Sequence, residues 1–167
     1  MRPVISAILE KTEEGTQFVF LQKRWKPKAS PTYLGVWEIP VGGIDDYEDI
    51  HTALRREVKE ECGLEIVQIR DDFRGEIQRP KAREAAFVFR PYLCQQVLET
   101  NGGLSWIGFV FRCVVTGTPK MEPTEARDPL WVTIPELKNM ILGDPAQFFP
   151  LQLPVLQEYC REMLEKE

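Results

Sequence analysis

The chain has 167 residues, a formal net charge of −5, and 43% hydrophobic and 10% aromatic content. That length and apolar share predict one domain over residues 1–167 with a sizeable core, and exclude a disordered chain. The acidic balance excludes a protein that lives on bulk nucleic acid, which needs a basic face, yet it is compatible with a small anionic ligand.

Cys62, Cys94, Cys113 and Cys160 are widely spaced, with no C-x-x-C pair and no neighbouring histidines. Neither a zinc site nor a disulfide framework is expected, and a reduced, intracellular setting follows. The apolar run near the N-terminus is too short for a signal peptide, and no stretch approaches the ~18 apolar residues of a membrane span. The expected location is the cytoplasm, with no membrane partner; the pattern sets no oligomeric state.

Residues 3–9 and 17–24 are apolar, β-branched or aromatic runs separated by a loop containing Gly15, which predicts two strands. Lys23, Arg24, Lys26 and Lys28 follow, either as a solvated turn or as an edge that steers phosphates. Pro27, Pro31 and Gly35 break the connection to Trp37-Glu38-Ile39-Pro40-Val41, a short predicted strand.

The next segment, residues 42–64, predicts loop, helix, loop. Asp45 and Asp46 can cap the helix, Ile50, Ala53, Leu54 and Val58 recur at helical spacing, and Gly63 supplies the stop. At roughly 100° per residue, Ile50, Ala53, Leu54, Glu57 and Glu61 share one arc with Glu60 at its edge. Thr52, Arg55 and Lys59 point the other way, and His51, the single histidine, is expected on the solvent side. Burying carboxylates beside an apolar stripe is costly without cations. Three glutamates at i, i+3 and i+4 suit a hard divalent ion such as Mg²⁺. The alternative is a solvated acidic turn paired with Arg55, Arg56 and Lys59.

Beyond the helix, residues 65–74, 85–94 and 104–116 have strand composition, with turns at 78–83 and 99–103. Arg79, Lys81 and Arg83 form a basic cluster beside Pro80, read either as an exposed hairpin tip or as a phosphate- or ribose-binding edge. Residues 117–130, with Pro119, Pro123 and Pro129, predict an irregular segment. Trp131-Val132-Thr133 then reads as a short strand, and Pro135 opens a helix over 135–142. Pro154 opens a last helix whose Val155, Leu156, Tyr159 and Met163 form a packing face.

The full pattern of the central segment resembles the Nudix hydrolases, whose signature is Gly, five residues, Glu, seven residues, then Arg-Glu-apolar-x-Glu-Glu-x-Gly-apolar. Gly42, Glu48, Arg56, Glu57, Val58, Glu60, Glu61, Gly63 and Leu64 match every defined position. At a typical usage of about 6% each, seven fixed identities coincide at a given register with probability of order 10⁻⁹. The element order and the resemblance together imply an α/β fold, a Nudix-type α/β/α sandwich with a mixed β-sheet.

The resemblance implies Mg²⁺-dependent hydrolysis, with Mn²⁺ as a substitute metal, of a nucleoside diphosphate linked to a group X. The leading substrate is a (deoxy)nucleoside triphosphate, from the MutT-like Trp37-Glu38-Ile39-Pro40 approach; Pro80 points instead to ADP-ribose or another nucleotide sugar. A nucleotide-sensing domain without turnover is the alternative from a different class. By the same resemblance Glu57, Glu60 and Glu61 are metal ligands, and Glu57 or Glu125 takes the proton of water. Gly42, Glu48, Arg56 and Gly63 support the site, with Arg56 pairing Glu48 or orienting Glu57. Val41 stands where the family often has a glycine that offers its backbone carbonyl to metal, a role open to Val41 if the loop does not require positive φ. Glu125 lies six residues before Trp131, where relatives carry an acidic metal ligand; Glu122 is the reserve, and Asp128 lies too close to the strand. Trp37, Phe87, Phe89, Tyr92 and Trp106 are the candidates for stacking on a base, against a plain role in the core.

Overall fold

A computed structural model describes residues 1–71 and 73–166. Among these residues the elements run β1 (Arg2–Glu13), β2 (Thr16–Arg24), β3 (Trp37–Glu38), β4 (Val41–Gly43), α1 (Ile50–Cys62), β5 (Glu65–Ile69), β6 (Gln78–Lys81), β7 (Glu84–Ala86), β8 (Leu93–Val97), β9 (Trp106–Thr116), β10 (Ala126–Thr133), α2 (Ile134–Gly143) and α3 (Leu153–Glu165). Short 3-10 turns lie at Pro31–Tyr33 and Pro145–Gln147.

The main sheet has the order β10-β2-β1-β9-β5, with β3 on β2, β4 on β1 and β8 on β9. It is mixed, because β1 and β9 run parallel while its other pairs are antiparallel. Strand alternation divides the core into two layers. Ile5, Ala7 and Leu9 of β1, with Phe20, Phe111 and Cys113, pack against Ile50, Ala53, Leu54 and Val58 of α1. On the opposite face Ile8, Val19, Leu21 and Val110 meet Leu137 and Ile141 of α2 and Leu156 and Tyr159 of α3. This is the expected α/β/α sandwich.

The opposite face also buries an ion pair, Glu10 with Arg112. Glu10 is fully enclosed and receives both Arg112 Nε and Nη2 at 3.0 Å and the Tyr159 hydroxyl at 3.0 Å. Arg70 adds a second cation at 3.2 Å. A buried carboxylate is tolerable when its lone pairs are filled in this way.

One irregularity of the sheet positions everything that follows. The antiparallel pairing of β1 and β2 covers only Glu10↔Val19 to Glu13↔Thr16. Beyond that the strands diverge, and residues 37–43 enter the wedge, with β3 on Gln22 and Lys23 and β4 on Val4 to Ser6. Between β3 and β4, Ile39 is fully buried, and the side-chain amide of Gln152 satisfies its backbone. Ile39 N–H donates to Gln152 Oε1 at 2.9 Å, and Gln152 Nε2 donates to the Ile39 carbonyl at 3.0 Å. Gln152 thus acts as a one-residue strand.

Several expectations need correction here. The strand predicted at 65–74 ends at Ile69, and its Asp72 lies outside the described residues. Residues 87–92 are not strand: Phe87 and Phe89 instead fold over the start of α1. His51 is therefore buried, 4% exposed, among Phe87, Phe89 and Phe111 rather than on the solvent side. The segment predicted irregular to residue 130 becomes β10 from Ala126, because a bulge between Arg127 and Leu130, with Asp128 at φ 49°, lets Pro129 sit in an edge strand.

Gln152→Leu orphans two buried backbone groups at a cost of about 1–3 kcal/mol each. Urea denaturation is expected to show a loss of about 2 kcal/mol or more at unchanged m-value; a loss under about 0.5 kcal/mol contradicts this role.

Candidate active site

The helix that carries the glutamates starts one turn later than Asp45 and Asp46 suggest. The loop first closes on itself, with Glu48 N–H donating to the Asp45 carbonyl at 3.1 Å and Tyr47 at φ 65°. Asp49 is the N-cap instead, accepting from the backbone N–H of His51 and Thr52. At the other end Gly63 adopts φ 72° and donates to the Lys59 carbonyl at 3.0 Å. A Cβ at Gly63 would also lie 2.9 Å from Lys120, so conformation and space both require glycine.

Arg56 fastens the loop to the helix. Its Nε and Nη2 grip the two oxygens of Glu48 at 2.8 Å each, and Nη2 reaches the Gly43 carbonyl at 3.2 Å. Nη1 holds Glu57 at 2.7 Å and Glu60 at 3.3 Å. The hydrogen bonds from Arg56 hold Glu48 below the usual carboxylate range. Both predicted alternatives for Arg56 are thus present: it pairs Glu48 and it orients Glu57. Gly42 leaves space for Glu57, since a Cβ there would fall 2.0 Å from Glu57 Cδ and push that carboxylate aside.

Glu57 is half-buried, Glu60 is mostly exposed, and Glu61 is 2% exposed, in the order that the helical arc predicts. Lys26 Nζ is bound to Glu61 Oε1 at 2.7 Å and to Glu125 Oε2 at 2.9 Å, and lies 3.5 Å from the Val41 carbonyl oxygen. Gln22 Nε2 donates to Glu61 Oε2 at 2.9 Å and to the fully buried Glu38 at 3.3 Å; Arg24 pairs with Glu38 at 2.7 Å. Burial drives the Glu61 carboxyl up to about 7 despite Lys26, and burial also raises Glu57 and Glu38. Burial pulls Lys26 down, but the charge of Glu61 opposes it and leaves Lys26 above its ordinary value.

The proline-rich loop completes the site. Lys120 N–H donates to the Cys62 carbonyl at 2.8 Å and Glu122 N–H to the Glu61 carbonyl at 3.0 Å, which ties the loop to the end of α1. Glu122 and Glu125 then line one cavity of about 500 Å³ with Glu57, Glu60 and Glu61. Among the described residues, no three acidic, thiol or imidazole groups are already drawn into a coordination cage; Lys26 bridges Glu61 and Glu125, and Arg56 bridges Glu57 and Glu60. The donor set nevertheless fits a hard dication: five carboxylates, two of them raised by burial, around a position where Lys26 already collects oxygens. Val41 is not among the residues at positive φ, so its carbonyl faces the site without strain.

A cleft of about 980 Å³ adjoins this cavity and shares Glu57 and Glu125 with it. Arg2, Arg24, Lys26 and Lys28 give the cleft a basic wall, and Tyr33, Trp106 and Phe149 an aromatic one. Of the stacking candidates only Trp106 lines it; Phe87 and Phe89 pack against α1, and Trp37 and Tyr92 pack against the other core layer. Arg79, Lys81 and Arg83 are exposed on the β6–β7 hairpin and do not line either cavity. Asp128 faces Lys23 at 3.5 Å. Sequence reasoning missed Gln22 and Glu38 as site residues, and read Arg24 and Lys26 as a solvated turn or a phosphate-steering edge; they are counter-charges for buried carboxylates and also line the cleft.

A carboxyl that titrates at about 7 in the fold and at 4.5 in the ordinary state holds its proton preferentially in the folded protein between those values. Ionising Glu61 therefore costs stability above that window, and the cost disappears as pH falls through it. In chelator, the melting temperature of the wild type is expected to fall relative to that of Glu61→Gln as pH rises from 5 to 8. A gap between the two that does not change with pH contradicts the burial argument.

The chain matches the NUDIX domain family model over residues 1–152. No curated protein matches it. Among solved structures it is similar to a MutT protein from Methanosarcina mazei Go1, at TM-score 0.63 and 22% identity over 96% of this chain and 94% of that one. The NUDIX domain of Shewanella oneidensis NrtR, solved with ADP ribose, gives TM-score 0.64 and 16% identity over 98% and 88%. A C. elegans Ap4A hydrolase gives 0.59 and 14% over 99% of each. At these identities the structures speak for the fold, while the family match and the complete signature converge on one assignment: the chain belongs to the Nudix hydrolase family.

Proposed function

We propose that this protein is a Mg²⁺-dependent pyrophosphohydrolase, acting on a nucleoside diphosphate linked to X as one domain over residues 1–167. The observation that carries the reading is the convergence of five glutamates from two segments on one cavity that opens into a basic, aromatic-walled cleft. Although α3 lies beyond the family match, it packs into the same core as β1 and β2, which supports a single domain.

Glu57, Glu60, Glu61 and Glu125, with the Val41 carbonyl, would hold the metal, and Mn²⁺ could replace Mg²⁺. When bound, the metal supplies charge neutralisation of the diphosphate and acidifies the attacking water. Arg56 orients Glu57 and, through Glu48, fixes the loop that follows β4, where Gly42 leaves room for the Glu57 carboxylate. Glu57 is our choice of general base, because burial raises its proton affinity and it faces both the carboxylate cavity and the cleft. Water attacks phosphorus, the anhydride bond breaks, and a nucleoside monophosphate and phosphorylated X leave.

A (deoxy)nucleoside triphosphate is our leading substrate. Pro80, the cue for ADP-ribose, sits on the exposed hairpin away from the cleft, which weakens that alternative. Cysteines with no C-x-x-C pair among them, Cys62 and Cys113 fully buried, and no described helix long and apolar enough to cross a membrane support a cytoplasmic placement.

The test is Mg²⁺-dependent product release from a panel of nucleoside triphosphates, ADP-ribose and a dinucleoside polyphosphate. Glu57→Gln and Glu61→Gln are expected to lose ~100-fold or more in kcat while circular dichroism shows an intact fold. Glu125→Gln is expected to raise the Mg²⁺ concentration needed for half-maximal rate. No turnover across the panel, with tight nucleotide binding, would favour a sensing domain instead.

A further inference from the structure

The cation that the carboxylates hold in this structure belongs to the chain itself. Lys26 Nζ sits among Glu61 Oε1, Glu125 Oε2 and the Val41 carbonyl oxygen at 2.7, 2.9 and 3.5 Å. These are three of the five residues assigned above to the metal. We propose that Lys26 is a built-in competitor for the metal position: a divalent ion displaces its ammonium, which then turns into the adjoining cleft to meet substrate phosphate. The inference rests on the proposed function and adds to it a coupling between metal loading and anion binding.

Three features of the structure carry it. An ammonium donates to oxygens that a dication needs as ligands, so the two cannot share the same lone pairs. Their like charges also repel at such separations. The lysine stem is long and flexible, and Lys26 lines the cleft while its head group reaches the glutamates, with 15% of the side chain exposed. The cleft already carries Arg2 and Lys28, so an ammonium released there joins a basic wall suited to phosphate rather than a neutral surface. Without metal, the same lysine neutralises Glu61, which is 2% exposed and would otherwise be an isolated buried charge.

Two measurements on the metal-free full chain test this without reference to turnover. Mn²⁺ binding followed by electron paramagnetic resonance is expected to be about tenfold tighter for Lys26→Met than for wild type, a change of one decade in Kd. Lys28→Met, which removes a charge from the cleft wall, is expected to change it less than about twofold, since exposed charges are screened. On the wild type, acylation of Lys26 read by mass spectrometry is expected to rise several-fold on saturation with Mg²⁺, while Lys28 stays constant. This second readout stands even if Lys26→Met does not fold. Equal or weaker Mn²⁺ binding by a folded Lys26→Met, an equal gain in Lys28→Met, or unchanged Lys26 acylation overturns the competitor role and leaves the proposed function intact. A wild type that binds no Mn²⁺ overturns both.

Discussion

A carboxylate with 2% of its surface exposed, Glu61, sits on the apolar face of a helix packed against a sheet, and the rest of the site is arranged around that cost. Removing such an ion from water costs several kcal/mol unless cations and donors replace the lost hydration. The sheet supplies them from three successive even positions of β2 and its extension. Gln22 donates to Glu61, Arg24 neutralises the neighbouring Glu38, and Lys26 neutralises Glu61 itself. Residues two apart on an extended strand face the same way, so Gln22 and Arg24 share one face of β2, and Lys26 follows just beyond the strand's end.

The divergence of β1 from β2 makes the arrangement possible. A continuous β1–β2 ladder would leave no opening for residues 37–43, and Val41, Gly42 and Gly43 would not lie beside the helix. The inserted segment needs its own hydrogen bonds, which Gln152 and neighbouring strands provide, and it needs room, which glycine provides where Glu57 approaches. Arg56 then ties loop and helix through Glu48 and Gly43. Backbone geometry and electrostatics are thus solved by the same few residues.

Much of this was legible in the sequence because helical periodicity is local. The arc shared by Ile50, Ala53, Leu54, Glu57 and Glu61 follows from 3.6 residues per turn, and the complete signature marked the same glutamates. Apolar, β-branched and aromatic runs likewise located β1, β2 and β9. What the sequence hid depends on distant partners. Lys26 and Arg24 look like surface charges until α1 and β3 are folded against them. His51 looks solvated until Phe87 and Phe89 close over it. The cap at Asp49 was obscured because Asp45 and Asp46 satisfy the same composition rule, and only the tight turn between Asp45 and Glu48 decides among them. Pro129 argued against a strand, and a bulge on an edge strand removed the objection.

The two cavities divide the charge of the chain in a way that composition conceals. A net charge of −5 does not say where the charges sit: Arg2, Lys26 and Lys28 gather on the cleft wall while five glutamates gather in the cavity next to it. An anion entering the cleft meets attraction on one side and repulsion on the other, and the balance is set by whatever neutralises the glutamates. Under the proposed chemistry a dication does this, so charge alone favours cation binding before or together with the nucleotide. Glu57 and Glu125 are the residues common to both cavities, and a phosphate held against the basic wall has to face them. Under the proposed function, the scissile anhydride would lie at the boundary between the acidic and basic regions. There, opposing fields act on one bond rather than on the substrate as a whole.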